Sequence, residues 1–168
     1  AWWVLKWAGL SDVRVLDGGL PAWIAAGLPT TNNPYIPEKT DICLAPGHMP
    51  QFDADGASAI AQEGVLLDAR IRPNYIGGPA IGGDPARGHI PGAISAPTLD
   101  TLTDPGLFAD STTLRELFSG LGVDGVKPVG VYCGAGMSAA HEVLALAAIG
   151  VEAAMYPGSW SQYISRGR

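Results

Sequence analysis

The sequence is poor in cysteine and charge, and it has no cluster of basic residues. Cys43 and Cys133 are its two cysteines, too few for a disulfide framework and without the spacing of a metal site. One bridge between them is an alternative. The preferred reading is two free thiols in a reducing cytoplasm, with Cys43 a small core residue. The ten Lys and Arg are scattered and outweighed by 16 Asp and Glu, for a net charge of -6. Nucleic acid needs a basic stripe that neutralises phosphates, so it is excluded as a partner. A membrane is excluded as well. The longest uncharged apolar run in the last third, residues 143–151, is about half of the roughly 20 residues a span requires. Lys6 interrupts the first apolar stretch, so no secretory leader is read there.

The 168 residues are 47% hydrophobic and 15% charged, which describes a globular chain of one domain, or one domain and a piece of another. The first residues, with Trp2, Trp3, Val4, Leu5 and Trp7, are too apolar for a free terminus. A chain that opens at Ala1 on a helical pattern is expected to be a fragment or a processed product. Val13-Arg14-Val15-Leu16 alternates like a strand, and Pro21 opens a helix that stops at Gly27. Residues 28–50 carry five prolines and two adjacent asparagines and read as a linker, with a short strand at Ile42-Cys43-Leu44.

From about residue 53 strands and helices alternate. Asp53 or Asp55 can cap a helix that Gly64 ends, and Val65-Leu66-Leu67 is a strand buried on both faces, closing on Asp68-Ala69-Arg70. Residues 76–88 form a Gly/Pro-rich loop, and residues 88–94, GHIPGAI, a turn into a short strand. Ser111 is the expected cap of a helix carrying Leu114, Leu117, Phe118 and Leu121. A strand through Val129, a helix from about Met137 to Ile149, a strand over residues 151–156 and a last helix around Trp160 complete the pattern. This is the α/β class, a mostly parallel central sheet flanked by helices. Residues 13–27 also align with residues 153–167 at an offset of 140, placing Gly18 on Gly158 and Gly27 on Gly167.

In such sheets chemistry sits past the carboxyl ends of the strands, and Cys133 stands there at the start of Cys-Gly-Ala-Gly-Met-Ser. The thiolate is the reactive form, with a free pKa of about 8.5. A helix dipole contributes about 0.3–1 kcal/mol, less than one pKa unit at about 1.36 kcal/mol. It needs help from backbone amides, each worth roughly 1.5–3 kcal/mol to a charged acceptor. Gly134 and Gly136 allow the loop to turn its amides inward, so Cys133, Gly134, Ala135, Gly136, Met137, Ser138 and Ala139 read as an anion cradle around a sulfur. Ser138 can cap the following helix or donate to the sulfur. The bland alternative is a buried structural cysteine. A cysteine phosphatase needs an arginine at the end of the loop, where Ser138-Ala139-Ala140 stand, and a Cys-His hydrolase needs an oriented histidine. His141 is expected to be a polar residue on its helix and His89 a turn-stabilising one.

Four stretches, VLLDAR (65–70), GHIPGAI (88–94), VYCGAGMSAA (131–140) and YPGSWSQY (156–163), resemble in order and spacing the tandem-domain rhodaneses, the thiosulfate and 3-mercaptopyruvate sulfurtransferases. VRVLDGGLPAWIAAG (13–27) resembles the end of that family's inactive first domain. The resemblance implies a rhodanese-like fold, with residues 1–30 a remnant of a first domain, 31–50 a linker and 51–168 the catalytic domain. It implies a persulfide on Cys133, formed from thiosulfate or, as the runner-up, 3-mercaptopyruvate, and passed to a thiophilic acceptor such as cyanide or a thiol, with no cofactor and no metal. A carrier or sulfide-sensing module with little turnover is the alternative. Contacts with the missing part of the first domain are implied too, and its loss is expected to expose Trp2, Trp3 and Trp7. The family's basic loop residues, or the serine of the mercaptopyruvate type, are replaced here by Gly134 and Ala135, and a donor-binding arginine is replaced by Asn74. Arg70, Asn74, Arg72 and Arg87 are the candidates for donor binding, with a structural ion pair the alternative for Arg70.

Overall fold

The computed structural model describes residues 1–77, 88–103 and 106–167. Two continuous apolar runs become the central strands, β1 (Val65–Asp68) and β3 (Val129–Tyr132), and every residue in both is buried. They pair in parallel, from Val65 with Val129 to Asp68 with Tyr132. β2 (Ile94–Ser95) lies beside β1, and β4 (Ala154–Met155) beside β3, giving an all-parallel sheet in the order β2-β1-β3-β4. β4 is shorter than the run 151–156 suggests. Its outer edge is covered by residues 50–52, where the Met155 amide donates to Pro50 and the Phe52 amide to Met155. That contact blunts an otherwise open edge.

Side chains alternate across a strand, so the sheet has two faces to cover. Val65, Leu67, Val131 and Met155 face α5 (Ser111–Gly120) and α6 (Met137–Ala148), with Leu114, Phe118, Val143 and Leu146 in the same core. Leu66 and Tyr132 face α3 (Ala54–Glu63) and α7 (Ser159–Ser165), packing with Ala57, Trp160 and Tyr163. Gly130 allows the close approach on this side, because a Cβ there would lie 2.9 Å from Ile60 Cδ1 and 2.9 Å from Phe52 Cζ. A short α4 (Arg72–Ile76) and a 3₁₀ turn (Thr98–Thr101) lie in the connections.

The Asp53 side chain caps α3, accepting from the Asp55 and Gly56 amides. α5 is capped by Asp110, which accepts from Thr112 and Thr113 at 2.8 and 3.0 Å, and not by the expected Ser111. The carboxylate has extended backbone one position earlier, which the Ncap geometry needs, while Ser111 is already helical. Neither Val13–Leu16 nor Ile42–Leu44 is a strand. Both alternate correctly but have no strand beside them to complete a ladder, and Val15, Leu16, Ile42 and Leu44 are exposed. Cys43 is exposed on this connection and is not a core residue.

The first copy of the repeat does form its helix. α2 (Gly19–Ala25) and α7 (Ser159–Ser165) have the same bounds at the offset of 140 residues. Gly27 and Gly167 follow them in the same left-handed conformation, at φ 69° and 73°. The copies differ where a strand is concerned, since residues 154–155 have β3 as a neighbour and residues 14–15 have none.

The tryptophans of α1 (Trp2–Trp7) are not left exposed. Trp3 is 5% accessible and belongs to the core cluster of α5 and α6, with its ring stacked on Trp7 at 6.3 Å. Trp2 and Trp7 pack against the same cluster. The helix periodicity alone does not say which core the apolar face will meet. Trp3→Ala is expected to lower the unfolding free energy by about 3–5 kcal/mol. Urea denaturation of the whole chain measures this, and an unchanged midpoint would mean that α1 adds nothing to the core.

Candidate active site

β3 stops at Tyr132 and delivers Cys133 to the carboxyl edge of the sheet, where the residue is 2% accessible. The Gly136 amide donates to Cys133 Sγ at 3.0 Å. Gly136 is the residue before α6 and has φ 88°, and a Cβ on it would lie 3.0 Å from the Pro157 carbonyl oxygen. Glycine is therefore required twice over, by conformation and by space. No side chain caps α6, so the amides of Met137, Ser138 and Ala139 have no intrahelical acceptor.

The other side of the loop is tied to α7. The Trp160 amide donates to the Cys133 carbonyl at 2.9 Å, and the Ser161 amide to the Gly134 carbonyl at 3.0 Å. In a trans peptide the C=O and the next N–H point in opposite directions. Holding those two carbonyls toward α7 therefore turns the amides of Gly134 and Ala135 away from it. Ala135 and Met137 are exposed, Gly134, Gly136 and Ser138 half-buried, and Ala139 buried. One backbone amide of the loop, that of Gly136, is on the sulfur, and among the described residues no cationic side chain bonds to it.

Ser138 does not cap the helix. The hydroxyl beside the sulfur is that of Ser159, 4.0 Å from Sγ. Its oxygen accepts from the Cys133 amide at 3.2 Å and donates its one proton to the Tyr156 carbonyl at 2.8 Å. Ser159 is fully buried and has φ 51°, unusual for a residue with a side chain. Residue-type reasoning about the Cys133 loop passed over it. A signal was present, because Gly19 occupies the equivalent place in the first copy at φ 60°.

Arg70 and Cys133 come from adjacent strand ends. Arg70 is buried and its guanidinium is held by Asp68, Nε to Oδ1 at 2.9 Å and a terminal nitrogen to Oδ2 at 2.7 Å. A terminal nitrogen also donates to the Gly88 carbonyl, and the group lies over the Trp160 ring at 4.8 Å. Tyr132 accepts from the Ile90 amide, and burial together with the Asp68 carboxylate pushes its phenol well above the ordinary range. Arg70 thus ties the 88–90 turn to β1 and to α7. Arg72 is exposed at the start of α4, and Asn74 is buried on the same helix. Arg87 lies outside the described residues, as does most of the Gly/Pro-rich loop.

The two histidines near the site bond elsewhere. His89 stacks on Tyr75 at 3.9 Å and bonds to the Tyr75 carbonyl, stabilising the turn as expected. His141 Nε2 lies 3.2 Å from Thr101 Oγ1, and burial lowers its pKa. Beside it on α6, Glu142 is 1% accessible, and its Oε2 is 2.7 Å from Thr98 Oγ1. Burial, aided by Asp100 and opposed by the Thr98 hydrogen bond, raises the Glu142 pKa to about 7. Among the described residues no cation pairs with it and no group of His, Cys, Asp and Glu could hold a metal. Nor is any helix among them long and apolar enough to cross a membrane.

The fold is a parallel α/β sheet that presents a buried cysteine at the start of the loop between β3 and α6. The rhodanese-like domain family matches residues 53–166, and the chain belongs to that family. It is 42% identical to SseB of Mycobacterium tuberculosis, whose name carries a provisional thiosulfate sulfurtransferase assignment; the match covers 98% of this chain and 59% of that protein. It is 30% identical to the rat 3-mercaptopyruvate sulfurtransferase, over 98% of this chain and 57% of that one. The crystal structure of SseA from Escherichia coli, a 3-mercaptopyruvate sulfotransferase, superposes with a TM-score of 0.81 at 28% identity, over 95% of this chain and 60% of that one. The chain thus spans about three-fifths of the length of the relatives it matches.

Removing Arg70 leaves Asp68 buried and unpaired. Arg70→Ala is expected to destabilise the chain by about 3–5 kcal/mol, measured by thermal or urea unfolding. A variant of unchanged stability that fails only in handling an anionic ligand would instead make Arg70 a binding residue.

Proposed function

We propose that this chain is a sulfurtransferase domain that carries a sulfane sulfur on Cys133. The observation that carries this reading is the Gly136 amide on Cys133 Sγ at 3.0 Å, inside a loop whose other amides have no helix acceptor. Such a loop stabilises a thiolate and, equally, the terminal anionic sulfur of a persulfide. With thiosulfate, the Cys133 thiolate attacks the outer sulfur, the S–S bond to the sulfonyl group breaks, and sulfite leaves with the electron pair. The persulfide then gives its outer sulfur to cyanide or to a thiol and the thiolate returns. No cofactor or metal takes part in this scheme. Its support is the loop geometry and the names of relatives at 30% and 42% identity.

The donor is thiosulfate or 3-mercaptopyruvate. Arg70 is neutralised by Asp68, and Ala135 offers neither a charge nor a hydroxyl. Attraction of an anionic donor then falls to the loop amides. We place the chain in a reducing cytoplasm, a reading supported by the two free thiols, Cys43 and Cys133. The exposed apolar residues Val15, Leu16, Leu20 and Ile24 suit contact with the remainder of a longer tandem chain.

Mixing the chain with each donor and measuring its intact mass tests the carrier step. One added sulfur is expected with the wild-type chain and none with a folded Cys133→Ser variant. Loss of fold in that variant would point to a structural cysteine. A persulfide that forms without steady-state transfer to cyanide favours the second reading, a carrier or sensor module, which the bare loop makes plausible. Ala135 is exposed two residues after Cys133, so Ala135→Lys is expected to raise kcat/KM for thiosulfate relative to 3-mercaptopyruvate by about tenfold, the scale of one charge-assisted contact. An unchanged donor ratio would show that this position does not select the donor.

A further inference from the structure

Thr98 has one hydroxyl proton and lies within reach of two acceptors. Its Oγ1 is 2.7 Å from Glu142 Oε2 and 3.0 Å from the Ser138 carbonyl oxygen. A carbonyl only accepts. Each contact has a proton of its own only if the second comes from the carboxyl group, with Glu142 Oε2–H donating to Thr98 and Thr98 donating to Ser138. Ser138 is in the first turn of α6, two residues after Gly136, whose amide donates to Cys133 Sγ. If Glu142 ionises, the charged carboxylate is the stronger acceptor and takes the Thr98 proton, so the Ser138 carbonyl loses its tie to the 3₁₀ turn.

We propose that protonated Glu142 is a positioning residue, which through Thr98 anchors the first turn of α6 behind Cys133, and that loss of its proton to solvent slackens the loop. The inference rests on the reading of Cys133 as the nucleophile. It concerns a group that touches neither the sulfur nor the donor.

The surroundings agree. Asp100 on the 3₁₀ turn is the charged group that acts on Glu142, and as a like charge it favours the neutral acid. The other ionisable groups on packed elements have partners or face away. On α1, Lys6 donates to the Ser11 carbonyl. On α5, Arg115 and Glu116 are exposed. β3 brings Tyr132, bonded to Ile90, and the Cys133 thiol at its end, and Glu152 before β4 is exposed. On α6 itself His141 bonds to Thr101. Burial raises the pKa of Glu142 to about 7, so the tie changes state in the neutral range. The folded chain keeps a proton that the unfolded chain has lost above the ordinary carboxyl range. Stability from this group is therefore full at acid pH and falls as pH rises toward 7.

Alkylation of Cys133 by iodoacetamide, read on its own peptide by mass spectrometry from about pH 5.5 to 8.5, tests the proposal without any sulfur donor. It therefore stands apart from whether the chain transfers sulfur. Glu142→Gln keeps a permanent neutral donor to Thr98, and Thr98→Val removes the tie at every pH. The rate ratio of wild type to Glu142→Gln is expected to be near one at acid pH and to fall about three- to tenfold, the scale of one neutral hydrogen bond, through a midpoint near 7. The ratio of wild type to Thr98→Val should run the other way, high at acid pH and approaching one at alkaline pH. Ratios that do not change with pH overturn the proposal. If either variant fails to fold, infrared titration of the wild-type chain decides. A protonated carboxyl band that disappears around pH 7 is expected, and its absence overturns the proposal.

Discussion

The structure of the site depends on two hydrogen bonds, from the amides of Trp160 and Ser161 to the carbonyls of Cys133 and Gly134. Planar peptides make each of them act twice. Fixing a carbonyl toward α7 fixes the next amide in the opposite sense, so the Gly134 and Ala135 amides are turned away from α7 without a dedicated side chain. Gly136 supplies the one amide already on the sulfur, at 3.0 Å, in a conformation and a space that no larger residue fits. Ser159, under the loop, holds the Cys133 amide at 3.2 Å and anchors itself on Tyr156.

Among the described residues, no charged side chain is hydrogen-bonded to this loop. Arg70, the buried cation at the adjacent strand end, is neutralised by Asp68 and spent on tying the 88–90 turn to Trp160. Behind α6, Glu142 and His141 are both pushed by burial toward their neutral forms. Among the described residues, the polar contacts of the sulfur are the Gly136 amide and, at 4.0 Å, the Ser159 hydroxyl.

The repeat explains the shape of the first 27 residues. α2 and α7 share bounds at an offset of 140 residues, and each is followed by a left-handed glycine. The strand that precedes α7 exists because β3 runs beside it. Residues 13–16 have the same alternation and stay irregular, with Val15 and Leu16 exposed. α1 shows the opposite outcome. Its apolar stripe found the α6 face, and Trp3 entered the core of the domain that follows it in sequence.

The sequence by itself determined the α/β class, the two central strands and the place of Cys133 past a strand end. Each of these follows from local pattern: continuous apolar runs, the spacing of Leu114, Leu117 and Phe118, and glycines at the turns. Caps were legible to within one residue, with Asp110 in the place expected of Ser111. Pairings between distant residues were decided only by the tertiary structure. Ser159 meets Cys133 across 26 positions, and Thr98 meets Glu142 across 44. Whether Arg70 is spent on Asp68, whether Trp3 is buried and whether Cys43 is not were likewise settled by packing. Periodicity specifies which face of an element is apolar, whereas the partner of that face, and the number of protons shared between two buried groups, depend on what the fold brings within 3 Å.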